Sequence, residues 1–159
     1  RVLGFKAGAV TFIGDILKGV VSFIIARWLF PDMGILAGIY ACAGTILGHD
    51  FPFYLHFKGG KGIAATIGLV LCIGFTESMP LMLISFIIGI VAVALSGYIS
   101  LGSMLFSIAI PICAFFFQLP LEGALVLTAL TILALWKHRA NIGRLRAGNE
   151  NKFTLTKKV

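Results

Sequence analysis

The chain has 159 residues, of which 59% are hydrophobic and 12% charged, and thirteen Lys and Arg against six acids leave a net charge of +7. A soluble domain of this size needs a polar shell, and average soluble usage is about 25% charged residues, so this composition excludes an ordinary soluble globular protein. The basic excess suits the cytoplasmic loops of a membrane protein and can also gather anionic substrates.

Six apolar stretches follow one another along the chain, at about 7–30, 35–47, 63–75, 81–95, 101–117 and 125–136. None alternates with period two, which argues for helices over strands. In lipid, a helix also satisfies its own backbone where an open sheet edge does not. A lipid-exposed span wants about 20 apolar residues, with a range near 17–25. Three of the stretches are short by that rule and are expected to be tilted, broken or buried among neighbours. Turn signals separate the stretches at Pro31-Asp32-Met33-Gly34, at residues 76–80 and at residues 118–123. The chain shows no repeats, linkers or low-complexity tracts, so one domain is expected. The fold class is all-α, a polytopic integral membrane helix bundle with about six spans in this chain.

Charge placement orients the bundle. Threading alternate loops to opposite sides collects Arg1, Lys6, Lys58, Lys61, Lys137, Arg139, Arg144, Arg146, Lys152, Lys157 and Lys158 on one side. The other side receives Arg27 with the acids Asp32, Glu77 and Glu122. Lys- and Arg-rich loops face the cytoplasm. Residues 49–62, 96–100 and 137–159 are therefore expected in the cytoplasm, and residues 31–34, 76–80 and 118–123 on the far side.

Polar residues inside or beside apolar runs are the candidates for chemistry. Asp15 and Lys18 interrupt the first run at a spacing that allows mutual pairing. Each would cost roughly 2.5–3.5 kcal/mol at bilayer centre on insertion scales, so they read either as a structural pair near the cytoplasmic interface or as part of a site. Residues 48–62 combine glycine with lysine in Gly59-Gly60-Lys61-Gly62. Glycine backbone can turn N–H groups toward an anion, and a helix starting near Ile63 would add its positive end. This is not a P-loop, because the GxxxxGK[ST] spacing is absent. The bland reading is a basic loop at the lipid headgroups. Ser100 and Ser103 fall at the turn between the fourth and fifth runs. His138 and Asn141, three apart, would share a helix face, in a segment otherwise readable as a basic stop-transfer tail. Cys42, Cys72 and Cys113 lie inside apolar runs and read as inert buried thiols.

Four motifs occur in order: Asp15-Ile16-Leu17-Lys18-Gly19, GHDFPFYLHFKGGKGIAAT from Gly48, YISLGS from Tyr98 and HRANIGRLRAGNE from His138. Together they resemble the acyl-phosphate-dependent glycerol-3-phosphate acyltransferase (PlsY) family of bacteria, across essentially the whole chain. The resemblance implies seven-helix inner-membrane enzymes that move an acyl group from acyl phosphate to glycerol 3-phosphate. The products are lysophosphatidate and phosphate, in the first step of phospholipid synthesis. It further implies a single acyltransferase domain over residues 1–159, lacking the family's first helix and most of its first motif, with Arg1 as that motif's arginine.

By the same resemblance, Gly59, Gly60, Lys61 and Gly62 form a phosphate-binding motif, and Arg1 and Lys61 hold phosphoryl oxygens. Ser100 lines the site, with Ser103 a weaker candidate. His138 and Asn141 complete it, and Glu150 holds the last loop in shape. Asp15 and Lys18 lie near it as structural residues. No metal, cofactor or nucleic acid is implied. The implied partners are the two substrates, membrane lipids and an enzyme that supplies acyl phosphate. Acyl transfer is expected to be direct, with His138 either a general base or, as favoured here, a positioning group. A transporter would instead carry its polar residues near mid-bilayer. A lipid phosphatase would need one histidine to accept phosphate and another to act as acid, drawn from His49, His56 and His138.

Overall fold

The computed structural model describes residues 4–153. Each apolar stretch forms one helix: α1 Gly4–Leu29, α2 Ile35–Asp50, α3 Ile63–Thr76, α4 Met79–Ser96, α5 Ile99–Phe116 and α6 Leu121–Lys137. A short helix, α7 Arg139–Arg146, closes the series. There is no strand among the described residues. Several helices begin earlier than their apolar runs because the punctuating residues act as helix starts. The Ser78 hydroxyl accepts the N–H of Leu81 at 3.4 Å, and Pro80 sits in the first turn of α4. Likewise α5 starts at Ile99, so Ser100 stands on its first turn and not in the preceding connection.

Length divides the helices into two groups. By length and composition, α1, α4 and α5 can each cross a membrane, while the 17-residue α6 passes the same test only when counted together with the basic α7, from which it is bent by 54°. The 16-residue α2 and 14-residue α3 rise only about 24 and 21 Å, short of a hydrocarbon core of about 30 Å. Packing explains how they are tolerated. The helices close a ring in the order α1, α2, α6, α5, α4, α3, with α3 also touching α2 and α5. Leu69, Val70 and Ile73 of α3 are fully buried in it.

Small residues allow the tightest crossings, as expected where lipid is as apolar as the helices themselves. A Cβ on Gly19 of α1 would lie 2.6 Å from the Ala65 carbonyl oxygen of α3. A Cβ on Gly102 of α5 would lie 2.6 Å from the Gly89 oxygen of α4. Apolar side chains such as Trp28, Ile90 and Leu95 point outward, the reverse of a soluble surface.

Pro111 interrupts α5 and supplies no N–H for the Ser107 carbonyl. Thr131 of α6 fills the gap, its hydroxyl donating to Ser107 O at 2.8 Å. At one rim of the bundle Arg27 pairs with Glu77 at 3.1 Å, and Tyr40 hydrogen-bonds Glu122. The opposite rim carries the starts of α3 and α5 and the α6–α7 joint.

Candidate active site

The link between α2 and α3 is held by backbone bonds. Gly59 N–H donates to Asp50 O at 3.3 Å and Gly60 N–H to His49 O at 3.2 Å. Lys137 of α6 donates to the same Asp50 oxygen at 2.5 Å, with its ammonium 4.1 Å from the centre of the Phe51 ring. Glycine is required at position 59, where a Cβ would overlap the His49 carbonyl, and a Cβ on Gly60 would meet the His49 ring and oblige it to shift. These two N–H groups thus already serve protein carbonyls, which departs from the expected cradle of N–H groups turned toward an anion. The start of α3 lies beside Asp50, whose carboxylate oxygens have no hydrogen-bond partner among the described residues. Asp50 is fully buried, and its Oδ1 lies 3.2 Å from where a Cβ of the cap residue Gly62 would stand. The Gly62 carbonyl accepts from Thr66 N–H and Oγ1, anchoring the first turn.

Lys61 points the other way. It lines a cavity of about 420 Å³ with Ser100, Ser103, His138, Asn141 and Glu150. The Lys61 ammonium donates to Asn141 Oδ1. Asn141 Nδ2 donates to Glu150 Oε1 at 3.0 Å, and Arg144 Nε to Glu150 Oε2 at 2.8 Å. This chain of bonds fastens the residues after α7 across the site. Burial of Lys61, helped by the nearby Arg144 charge, lowers its pKa against the opposing pull of Glu150. Desolvation alone would raise the pKa of Glu150. Its bonds from Arg144 and Asn141 outweigh that and hold it below the usual carboxylate value.

His138 is buried at the α6–α7 joint, with Nδ1 2.7 Å from the Ala134 carbonyl. A carbonyl only accepts, so Nδ1 carries the hydrogen and Nε2 keeps its lone pair. Burial lowers the pKa of His138, and Lys61 lowers it further, while the Ala134 bond opposes. The imidazole is therefore neutral at pH 7 with one acceptor to offer. Ser100 adds a buried hydroxyl with no hydrogen-bond partner among the described residues.

An apolar groove of about 540 Å³ adjoins this cavity, and the two share Ile99, Ser103 and Phe153 as lining. Phe153 is tied there by its N–H to Gly97 O at 2.7 Å.

Asp15 and Lys18 do not reach Lys61. They pair at 2.7 Å, and Lys18 Nζ lies 2.6 Å from His49 Nδ1. They line a separate cavity of about 470 Å³ with His49, Lys58, Gly59 and Gly60. The site residues named from the sequence thus fall into two groups on either side of the 59–62 segment. Arg1 lies outside the described residues. Reading the sequence missed His49, Asp50 and Lys137 as supports of this segment, although the first two stand inside its second motif. It also missed Arg144 as the partner of Glu150.

A membrane-embedded bundle with a cation, a neutral imidazole and a free hydroxyl at one rim, opening into an apolar groove, is the architecture of an enzyme acting on anionic, lipid-like substrates. The chain belongs to the glycerol-3-phosphate acyltransferase family, whose sequence model matches residues 1–148. A glycerol-3-phosphate acyltransferase of Shouchella clausii (strain KSM-K16) is 41% identical over 161 aligned residues, covering 96% of this chain and 75% of that protein. One from Alkaliphilus metalliredigens (strain QYMF) is also 41% identical, covering 96% of this chain and 74% of that protein. Crystal structures of PlsY (YgiH), an integral membrane glycerol 3-phosphate acyltransferase, are similar in fold. The glycerol 3-phosphate form superposes with a TM-score of 0.84 at 31% identity, covering 97% of this chain and 74% of that one. The lysophosphatidic acid form gives 0.83 at 31% identity, covering 97% and 76%.

Proposed function

We propose that this chain acylates glycerol 3-phosphate with acyl phosphate as donor, at the cytoplasmic face of a bacterial inner membrane. The products would be lysophosphatidate and inorganic phosphate, at the first step of phospholipid synthesis. The observation that carries this reading is the continuity of the Lys61–His138 cavity with the apolar groove. A phosphate-bearing head fits the cationic cavity while its acyl tail lies along the groove.

In this mechanism Lys61 neutralises phosphoryl oxygens. His138 Nε2 accepts the hydrogen of the glycerol hydroxyl and fixes its direction. The hydroxyl oxygen bonds to the acyl carbon as the bond from that carbon to the phosphate oxygen breaks, and a phosphate oxygen takes the proton. Acyl phosphate is a mixed anhydride with a good leaving group, so alignment is the larger part of the task. Ser100 is an unsuitable nucleophile because no histidine hydrogen-bonds its hydroxyl to serve as its base. Cys42, Cys72 and Cys113 are buried away from the cavity.

Two other readings find less support. His49 and His138 line different cavities and His56 lines neither, so no histidine pair serves a phosphatase. The charged side chains lie toward the two rims, with Arg27, Glu77 and Glu122 at one and the Lys61 cavity at the other, unlike the midplane site of a transporter. The experiment is to supply the full-length protein with glycerol 3-phosphate and, in parallel, acyl phosphate, acyl-CoA and acylated carrier protein. Lysophosphatidate formed from acyl phosphate alone is the expected result. Equal or faster use of either other donor would overturn the donor assignment.

A further inference from the structure

The apolar groove has a closed end. Phe86 of α4 and Phe106 of α5 both line it, their rings 5.2 Å apart between centroids. From Gly97, at the site end of α4, back to Phe86 is 97 − 86 = 11 residues, or about 16 Å along the helix axis. The groove does not continue past the rings. Leu81, Met82 and Ser85, next along α4, are buried in the core. Between the rings and the site the two helices approach closely, because a Cβ on Gly89 would stand 2.9 Å from Phe106 Cβ and 3.3 Å from Gly102 O, so Gly89 and Gly102 form part of the groove's lining. At the groove's outer rim Ile90 is 64% exposed, so the groove opens sideways toward lipid and a tail can enter from the bilayer.

We propose that Phe86 and Phe106 form the end wall of the acyl-binding groove and so set the longest acyl chain the enzyme uses efficiently. This rests on the acyl-transfer reading above. Lipid tails are as apolar as the groove, so extra methylenes draw no large benefit from entering it. Selection is steric. A chain that fills the groove lies straight with its carbonyl at the site. A longer one meets two aromatic rings and must bend out over the rim or withdraw its carbonyl from alignment. Phe86 is the adjustable part of the wall, since it is only partly buried while Phe106 lies wholly in the core.

The test is kcat/KM for a series of acyl phosphates of increasing chain length, with glycerol 3-phosphate saturating, on the full-length protein in lipid nanodiscs. A methylene in a shaped apolar pocket discriminates by about tenfold or more. Phe86→Ala should therefore raise the long-to-short ratio by about tenfold and move the fall-off to longer donors. Phe86→Trp should move it to shorter ones. Ile90→Trp, on the exposed rim, requires no repacking of the core and should also shorten the preferred chain. Chain-length profiles that superimpose for the unaltered protein and the active variants would overturn the end wall while leaving the acyl-transfer reading intact. Absence of transfer from every acyl phosphate in the unaltered protein would instead overturn that reading, and the wall with it.

Discussion

Lys61 and Asn141 stand 80 residues apart in sequence and are joined directly, the lysine ammonium donating to the amide oxygen. The bond ties the glycine-rich segment before α3 to α7. It also presents the ammonium to the cavity lined by Ser100 and His138. Lys61→Ala should lower kcat/KM for glycerol 3-phosphate by about 10- to 150-fold, from the loss of a charge-assisted contact of about 1.5–3 kcal/mol. Asn141→Ala should cost a similar factor, and the double variant less than the product of the two, because each change disrupts the same unit. Steady-state kinetics of the three variants measure this, and strictly multiplicative effects would show that the bond is not part of the working site.

The pH dependence follows from His138. Its pKa is lowered by burial and by Lys61, so the ring stays neutral at and somewhat below the ordinary value of about 6.5. Only further acidification puts a proton on Nε2 and removes the acceptor. The acid limb of kcat/KM should therefore lie below pH 6.5 and be absent from His138→Gln. That variant keeps a hydrogen-bonding group without a titration in this range. Substantial residual activity in His138→Gln supports positioning. Near-total loss with unchanged substrate affinity would make His138 a general base.

Gly60 gives a test of the supporting residues. A Cβ there would strike the His49 ring, whose Nδ1 is engaged by Lys18. Gly60→Ala should reduce activity by displacing the segment that carries Lys61. Adding His49→Ala clears the space and should recover part of the loss. If the second change recovers nothing, Gly60 acts through direct approach of a substrate to its backbone.

Thr131 should matter to stability and little to turnover. Thr131→Val leaves the Ser107 carbonyl without a donor and should destabilise the bundle by about 1 kcal/mol, within the range for a buried bond between membrane helices. Pro111→Ala restores an N–H to that carbonyl within α5, so the penalty of Thr131→Val should shrink in its presence. Thermal unfolding in detergent of the four proteins reads the coupling. An equal Thr131→Val penalty with and without Pro111 would disprove it.

The orientation can be read on intact cells. Asp32→Cys and Gln118→Cys should react with a membrane-impermeant thiol reagent, and Lys58→Cys should not until the membrane is opened. Cys42, Cys72 and Cys113 are buried and should stay silent. Reaction at position 58 alone would invert the assignment.

The helices were legible in the linear sequence, because hydrophobic runs are a local property. The residues of the Lys61 cavity were legible for a similar reason: His138, Asn141 and Glu150 stand together in one motif, and Ser100 and Lys61 in two others. Which of the polar residues share a cavity was decided only by tertiary structure. Gly60 and Lys61 are neighbours in sequence, yet the backbone bond from Gly60 to His49 turns the one toward Lys18 and leaves the other facing Asn141. Asp50 is a charged residue by composition, and only packing between α2, α3 and α6 buries it completely. The apolar groove was invisible for the same reason. Its walls come from α3, α4 and α5, and its depth depends on how closely Gly89 and Gly102 let two helices approach, a distance that no local pattern encodes.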